Sequence, residues 1–199
     1  MRKLKITELN RLTPEAYQKV AKIPLVVVLD NVRSLHNVGS IFRTSDAFLV
    51  ESIYLCGITA TPPHPEIHKT ALGAEYTVPW VYVENTLDVI AFLKEQSYMV
   101  WAVEQATDSV SLQSLEISNE KKYAIVLGNE VKGITQEVMD CCDGCIEIPQ
   151  YGTKHSLNVS VIAGIVIWEI FKGIFRSALK TVGLKNIQTA TACNCIEKP

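Results

Sequence analysis

The chain has 199 residues, 48% apolar and 20% charged, with a formal net charge of −2 and a pI near 6.1. That length and composition suit one soluble domain with a core of its own, and they exclude a low-complexity chain or a small disulfide scaffold. The longest apolar run, residues 161–168, sits in a segment broken by Asn158, Ser160, Glu169 and Lys172, too short and interrupted to cross a bilayer. No apolar signal core follows the basic start Met1-Arg2-Lys3-Leu4-Lys5. The expectation is a cytoplasmic protein without a membrane partner.

Thr13-Pro14-Glu15 reads as N-cap, first-turn proline and first-turn acid, so a short helix is predicted from Pro14 to about Lys22, stopped by Ile23-Pro24. Residues 25–29 are a continuous β-branched and leucine run, the pattern of a strand buried on both faces. Further strands are predicted at 53–55, 78–83, 98–103, 123–127 and 145–148. Helical patterns lie between them at 38–48, 66–72, 86–96, 135–142 and 157–175. This alternation predicts an α/β fold, with a mainly parallel sheet and helices on both faces. The last helix is apolar nearly all round, so it should be buried all round; in a small three-layer domain that points to a second copy of the chain, a homodimer. Beyond Lys180 the pattern fades, and residues 188–199 read as a poorly ordered tail.

Six cysteines include Cys142-x-x-Cys145, with Cys141 adjacent. A zinc site needs about four converging ligands and a redox pair belongs at a strand-to-helix turn. Here Cys141 and Cys142 finish a predicted helix and Cys145 enters a strand, so buried or incidental thiols and no metal are expected. Residues 1–22 carry six Lys/Arg against two Glu, residues 150–180 four against one, and residues 23–149 seven against 17 acids. Two basic ends on an acidic body make a phosphate-binding face if they meet in space; otherwise they are solvated charges.

Three strand ends carry residues suited to chemistry. In the first, Arg43 lies beside the apolar stripe of a helix that Asn37 could cap, and Gly39 permits close approach of another backbone. Arg43 reads either as a functional cation or as a surface partner of Asp46 at i+3. In the second, Leu127-Gly128-Asn129-Glu130 ends a buried strand and leads to Gly133, with Thr135 placed to cap the next helix. Glu130 is either functional or simply solvated. No phosphate-loop or dinucleotide glycine pattern is present. In the third, Ile148-Pro149 closes a strand, Ser156 suits the N-cap of the apolar helix, and Asn158 needs a partner. Lys154 and His155 add local positive charge, His155 reading as an ordinary loop residue.

Taken together, Asn37-x5-Arg43, Leu127-Gly128-Asn129-Glu130-x2-Gly133, and Ile148-Pro149 with Ser156-Leu157-Asn158-Val159-Ser160 resemble the three signature motifs of the SpoU/TrmH branch of the SPOUT RNA methyltransferases. The similarity covers residues 25–172. Lys132-Gly133-Ile134-Thr135-Gln136-Glu137 also looks like the tRNA guanosine group, and Trp168-Glu169 resembles eukaryotic tRNA relatives. The resemblance implies transfer of a methyl group from S-adenosylmethionine to a ribose 2′-hydroxyl of RNA, by a dimer whose sheet carries a C-terminal trefoil knot.

It implies cofactor contacts at Leu127, Gly128, Asn129, Ile148, Pro149, Ser156 and Leu157, with Val103 lining the same pocket. Arg43 would act at the 2′-hydroxyl, and Asn37, Glu130, Ser156 and Asn158 would complete the site. The expected organisation is a basic extension at 1–24, the catalytic domain at 25–176 and a tail at 177–199. The short extension favours tRNA as substrate. The alternatives are an rRNA 2′-O-methyltransferase and a catalytically inactive RNA-binding protein of the same fold.

Overall fold

The structure, a computed structural model, describes residues 1–9 and 11–181. The expectations made for residues 182–199, including the tail and its two cysteines, lie outside the described residues. Seven strands form one sheet: β1 (Ile23–Asp30), β2 (Val50–Cys56), β3 (Trp80–Val83), β4 (Tyr98–Val103), β5 (Val110–Ser111), β6 (Lys122–Leu127) and β7 (Gly144–Glu147). Their spatial order is β3-β2-β1-β6-β4-β7-β5, and every neighbouring pair is parallel. Parallel neighbours require crossovers, which here run mostly through α2 (Leu35–Ala47), α3 (Pro65–Ala71), α4 (Thr86–Glu95) and α5 (Gln136–Cys141), while α1 (Pro14–Lys19) precedes β1 and α6 (Val159–Thr181) follows β7.

The period-two alternation of the strands divides the core into two halves. Leu25, Val27 and Leu29 point to the side covered by α2, α3 and α6, where they meet Ile41, Phe42, Ile67 and Val166. Val26 and Val28 point to the side covered by α4, where they pack with Val89, Ile90 and Leu93. The run at 25–29 is therefore buried on both faces, as its composition predicts.

Several boundaries move for local reasons. The first helix stops at Lys19, not at Lys22, because Val20 is extended; Lys22 folds back, donating from Nζ to the carbonyls of Tyr17 and Val20 and lying over the Tyr17 ring. α2 begins three residues before the predicted Val38, because Ser34 is the N-cap and its Oγ accepts from the Asn37 N–H. Asn37 is thus inside the first turn and does not cap the helix. β3 starts at Trp80, since the Val78 N–H is taken by the Ala74 carbonyl. The two-residue edge strand β5 was too short to be read from periodicity.

α6 begins at Val159 and buries Ala163, Val166, Ile167 and Ile170 against the sheet and α2. It leaves Val161, Ile165 and Trp168 37–49% exposed at i, i+4 and i+7, an apolar stripe that no other described residue covers fully. Among the described residues, no helix is long and apolar enough to cross a membrane.

The basic N-terminal helix packs at the starting edge of the sheet: Gln18 reaches the Thr77 carbonyl, and Asp46, at the far end of α2, lies close enough to Tyr17 and Lys22 to bias both electrostatically. Lys154 and His155 stand instead beyond the finishing edge, on the loop after β7.

Gly39 fixes how closely α2 approaches α3. A Cβ there would sit 2.2 Å from Thr70 Oγ1 and 2.3 Å from the Ile67 carbonyl oxygen. Gly39→Ala gains roughly 0.5–1 kcal/mol of helix propensity, but it forces the two helices apart at a cost of about 1–3 kcal/mol. The expected outcome is net destabilisation, seen as a lower denaturant midpoint at unchanged slope. A stabilised variant would show that the helix spacing is not set here.

Candidate functional site

A cleft of about 670 Å³ opens at the carboxyl edge of the sheet. Its floor is the ends of β4, β6 and β7, at Val103, Leu127 and Ile146, and its walls are the loops that follow those strands. The cleft lies beside β6, which is inserted between β1 and β4 where the chain changes its direction of winding, the usual place for a ligand in an open parallel sheet. The volume is in the range of small-molecule and cofactor sites.

The wall after β6 is a tight loop. The Asn129 N–H donates to the Gly133 carbonyl at 3.2 Å, and the Gly133 N–H donates back at 2.9 Å. Asn129 Oδ1 accepts from the N–H groups of Val131 and Lys132, while its Nδ2 donates to the Asn31 carbonyl and ties the loop to the end of β1. Gly133 has φ +66°, and a Cβ on Gly128 would collide with Gly133 and Ile134 backbone atoms at 2.6 Å. Both glycines are therefore needed for the loop to close on itself. Thr135 occupies the N-cap position of α5 but makes no capping bond with its side chain.

Glu130, on this loop, is not merely solvated. One carboxylate oxygen accepts from the Ser34 N–H and from Asn37 Nδ2, and the other from the Arg33 N–H, each at 2.9 Å. Partial burial pushes its pKa up, but the bonds from Arg33, Asn37 and Ser34 outweigh that and hold it below its ordinary value. Asn37 is itself only 8% exposed, and its Oδ1 accepts from Asn158 Nδ2 at 3.1 Å. Asn158 Oδ1 accepts from the Ser160 N–H, so Asn158 caps α6. The cap expected at Ser156 is thus displaced by two residues. Ser156 is exposed on the cleft wall, where its hydroxyl makes no bond to another described residue.

The cleft gathers Val103, Leu127, Gly128, Asn129, Glu130, Ile148, Ser156, Leu157 and Asn158. Pro149 lies between two lining residues, Ile148 and Gln150, without lining the space itself. Asn37 stands behind the wall, held by Glu130 and Asn158. Arg43 is outside the cleft of its own chain. It is exposed on α2, with no hydrogen bond or ion pair to another described residue; the surface pair with Asp46 does not form, and Asp46 accepts from Thr77 Oγ1 at 2.7 Å.

Residues that the sequence reading missed include Glu104 and Gln105, directly after β4. Glu104 lines the cleft, and Gln105 Nε2 donates to the His155 carbonyl at 2.7 Å, clasping the loop after β7. Their only sequence signal was position: two polar residues at the end of a buried strand. Neither Cys142 nor Cys145 offers a ready thiolate near the site. Burial pushes the Cys142 thiol up to about 12 and moves Cys145 in the same direction.

Residues 24–168 match the SpoU rRNA Methylase family. The chain is similar to the 23S rRNA (guanosine-2′-O-)-methyltransferase RlmB of Nitrosomonas europaea, 37% identical over 149 residues that make 74% of this chain and 56% of that protein. It spans less than two thirds of the length of the curated relatives it matches. Among solved structures it is similar to a TrmH/SpoU tRNA modifying enzyme of A. aeolicus, with TM-score 0.72 and 26% identity over 85% of this chain and 84% of that one. An AdoMet-bound rRNA methyltransferase of Sinorhizobium meliloti gives TM-score 0.71 and 28% identity over 81% of this chain and 61% of that one. With three loops meeting at the carboxyl edge of a parallel sheet, in the order the motifs require, the chain belongs to the SpoU methylase family of RNA methyltransferases.

Proposed function

We propose that the chain is an S-adenosylmethionine-dependent methyltransferase acting on a ribose 2′-hydroxyl of RNA, with tRNA as its substrate. The observation that carries this reading is the bonded series Glu130–Asn37–Asn158, which ties all three motifs together beside one cleft. The cleft suits an adenosine-sized group: apolar side chains of Val103, Leu127, Ile134, Ile146 and Leu157 flank a wall of tightly turned backbone. Leu127, Gly128, Ile148 and Leu157 are the residues that would hold the cofactor, which supplies an electrophilic methyl group on a sulfonium.

The remaining chemistry belongs to the chain's own groups. The guanidinium of Arg43 is a poor general base. Its role is to bind an RNA phosphate and stabilise negative charge developing on the ribose oxygen. Glu130, Asn37 and Asn158 hold the start of α2 and the start of α6 at a fixed distance from the cleft, and the free Ser156 hydroxyl faces the incoming RNA. Placement of the two partners then supplies most of the rate enhancement.

A homodimer is part of this proposal, supported by the uncovered stripe Val161, Ile165 and Trp168. Because Arg43 stands outside the cleft of its own chain, the reading requires the RNA, the second copy, or both to bring arginine and cleft together. A C-terminal trefoil knot is supported by the chain path: β6 lies to one side of β4, β7 to the other, and α6 then returns across α2 to β1. The catalytic unit in this reading is residues 25–176, with 1–24 an extension. Preference for tRNA rests on the Lys132–Glu137 and Trp168-Glu169 resemblances and on the likeness to the A. aeolicus enzyme, most of whose length is matched. The rRNA reading is favoured by the identity to the Nitrosomonas europaea protein.

Incubating the protein with labelled cofactor and either total tRNA or total rRNA, followed by nuclease mapping, decides between them. Label is expected in a 2′-O-methylated tRNA nucleotide; label in rRNA alone overturns the preference. Arg43→Ala is expected to lower methyl transfer by about 100-fold or more while cofactor affinity, measured by calorimetry, stays within about twofold. Loss of both would mean that the arginine is structural.

Glu130→Gln replaces one acceptor oxygen by an amide facing N–H donors, and a loss of about 1 kcal/mol of stability is expected at neutral pH. Since the folded pKa of Glu130 is depressed, its contribution is complete above the ordinary value of 4.5 and is lost as pH falls through the folded value. The stability gap between wild type and variant should therefore close in acid. A gap independent of pH would count against the charge-assisted network.

A further inference from the structure

Glu104 is the carboxylate that the function described so far does not use. It lies at the carboxyl end of β4 and lines the cleft. Of the other acids on the wall, Glu130 caps the entry to α2 and Glu147 accepts from Ser109 Oγ. Among the described residues, the bonds to the Glu104 side chain come only from backbone: Oε1 accepts from the Gln105 N–H at 2.9 Å, and Oε2 from the Ile134 N–H at 3.3 Å. Across from it stands Gly133, where a Cβ would sit 2.3 Å from Oε2. The carboxylate is thus fixed in direction from behind, against a residue that has no side chain to fill the space beside it.

Each carboxylate oxygen has acceptor capacity for a second hydrogen bond. With one backbone donor on each oxygen, one further acceptor position remains on each, side by side. Two adjacent acceptors match two adjacent hydroxyl donors, and a vicinal diol on a ribose presents that pair. A carboxylate at a strand's carboxyl end that receives ribose hydroxyls is a general solution in open parallel sheets. We propose that Glu104 accepts hydrogen bonds from the ribose 2′- and 3′-hydroxyls of the cofactor in this cleft and so sets the cofactor's depth. This inference rests on the cofactor reading given above and adds to it a side-chain contact where the earlier assignment relies on backbone.

The test is calorimetry on the full chain, wild type and Glu104→Gln, with S-adenosylhomocysteine, 5′-methylthioadenosine and the 2′,3′-dideoxy analogue of the latter. Methylthioadenosine keeps the ribose but lacks the amino-acid ammonium; its dideoxy analogue also lacks the diol. In wild type, removing the diol should weaken binding by about tenfold or more, the size of a hydrogen bond to a charged group. In Glu104→Gln that ratio should collapse towards about one to threefold, in the manner of a double-mutant cycle.

A variant that merely loosens the 133–134 backbone weakens both ligands alike and leaves the ratio unchanged, which overturns the proposal. So does weakening confined to S-adenosylhomocysteine, because it assigns Glu104 to the ammonium. Absence of S-adenosylhomocysteine binding to wild type sinks the methyltransferase reading itself; an unchanged ratio with normal wild-type binding sinks only the role of Glu104.

Discussion

The Glu130 carboxylate, from its place on the loop after β6, gathers the N–H groups of Arg33 and Ser34 and the side chain of Asn37, 93–97 residues away in sequence. Those donors mark the point where the chain leaves β1 and begins α2. A carboxylate near a helix start is favoured by the helix dipole as well as by the bonds themselves. Asn37 then passes the connection to Asn158 and so to the first turn of α6. Together with the bond from Asn129 Nδ2 to the Asn31 carbonyl and the Gln105 clasp on the His155 carbonyl, this series holds the β1, β6 and β7 loops at one separation, since the sheet fixes only where each strand ends. The site depends on a polar bridge between loops, and the core beneath it supplies rigid strand ends for the bridge to join.

That arrangement explains which parts of the site could be read from the sequence. Buried strands of a parallel sheet are continuous apolar runs, so 25–29, 98–103 and 123–127 were visible from composition, and the helices between them from periodicity. Loop content was visible as well, because glycine and asparagine at a strand end have few other uses. The connections were not. Nothing in the spacing says that Glu130 reaches the start of α2, or that the capping residue of α6 is Asn158 and not Ser156. Both rest on contacts between residues far apart in sequence or on backbone geometry that spacing does not show. At the start of α2, Ser34 is the cap, and Asn37 lies within the first turn with its side chain bonded to Glu130 and Asn158. For Arg43, a helical wheel shows the face the residue occupies and not what stands opposite it.

The two sides of the cleft differ in character. The β6 side is a closed loop with reciprocal backbone bonds, an internal asparagine turn and two glycines that tolerate no side chain. The β7 side is held by the clasp between Gln105 and the His155 carbonyl, while Tyr151 is 95% exposed and Gly152 has no neighbouring atom near its Cβ position. A wall of backbone groups offers fixed donors and acceptors at little entropic cost, which suits a ligand that is the same in every turnover. An open rim with a lysine, a histidine and an unpacked tyrosine suits a larger partner whose bases and phosphates approach from solvent.

This division places the burden of selectivity on few side chains. Backbone groups bind an adenosine-like ligand without testing its ends, so discrimination among related nucleosides needs a group with a definite direction. Glu104 has that property, because both of its oxygens are pinned from behind. Recognition on the RNA side has the opposite requirement. Arg43 and Ser156 are unconstrained by other described side chains, and a guanidinium free of partners loses no existing ion pair when it takes a phosphate. Under the proposed function, the polar contacts fix the cofactor side of the cleft, while Arg43 and Ser156 stay uncommitted for an RNA partner. It follows that substitutions at Glu130, Asn37 or Asn158 should disturb stability and chemistry together, whereas changes at Arg43 should separate them.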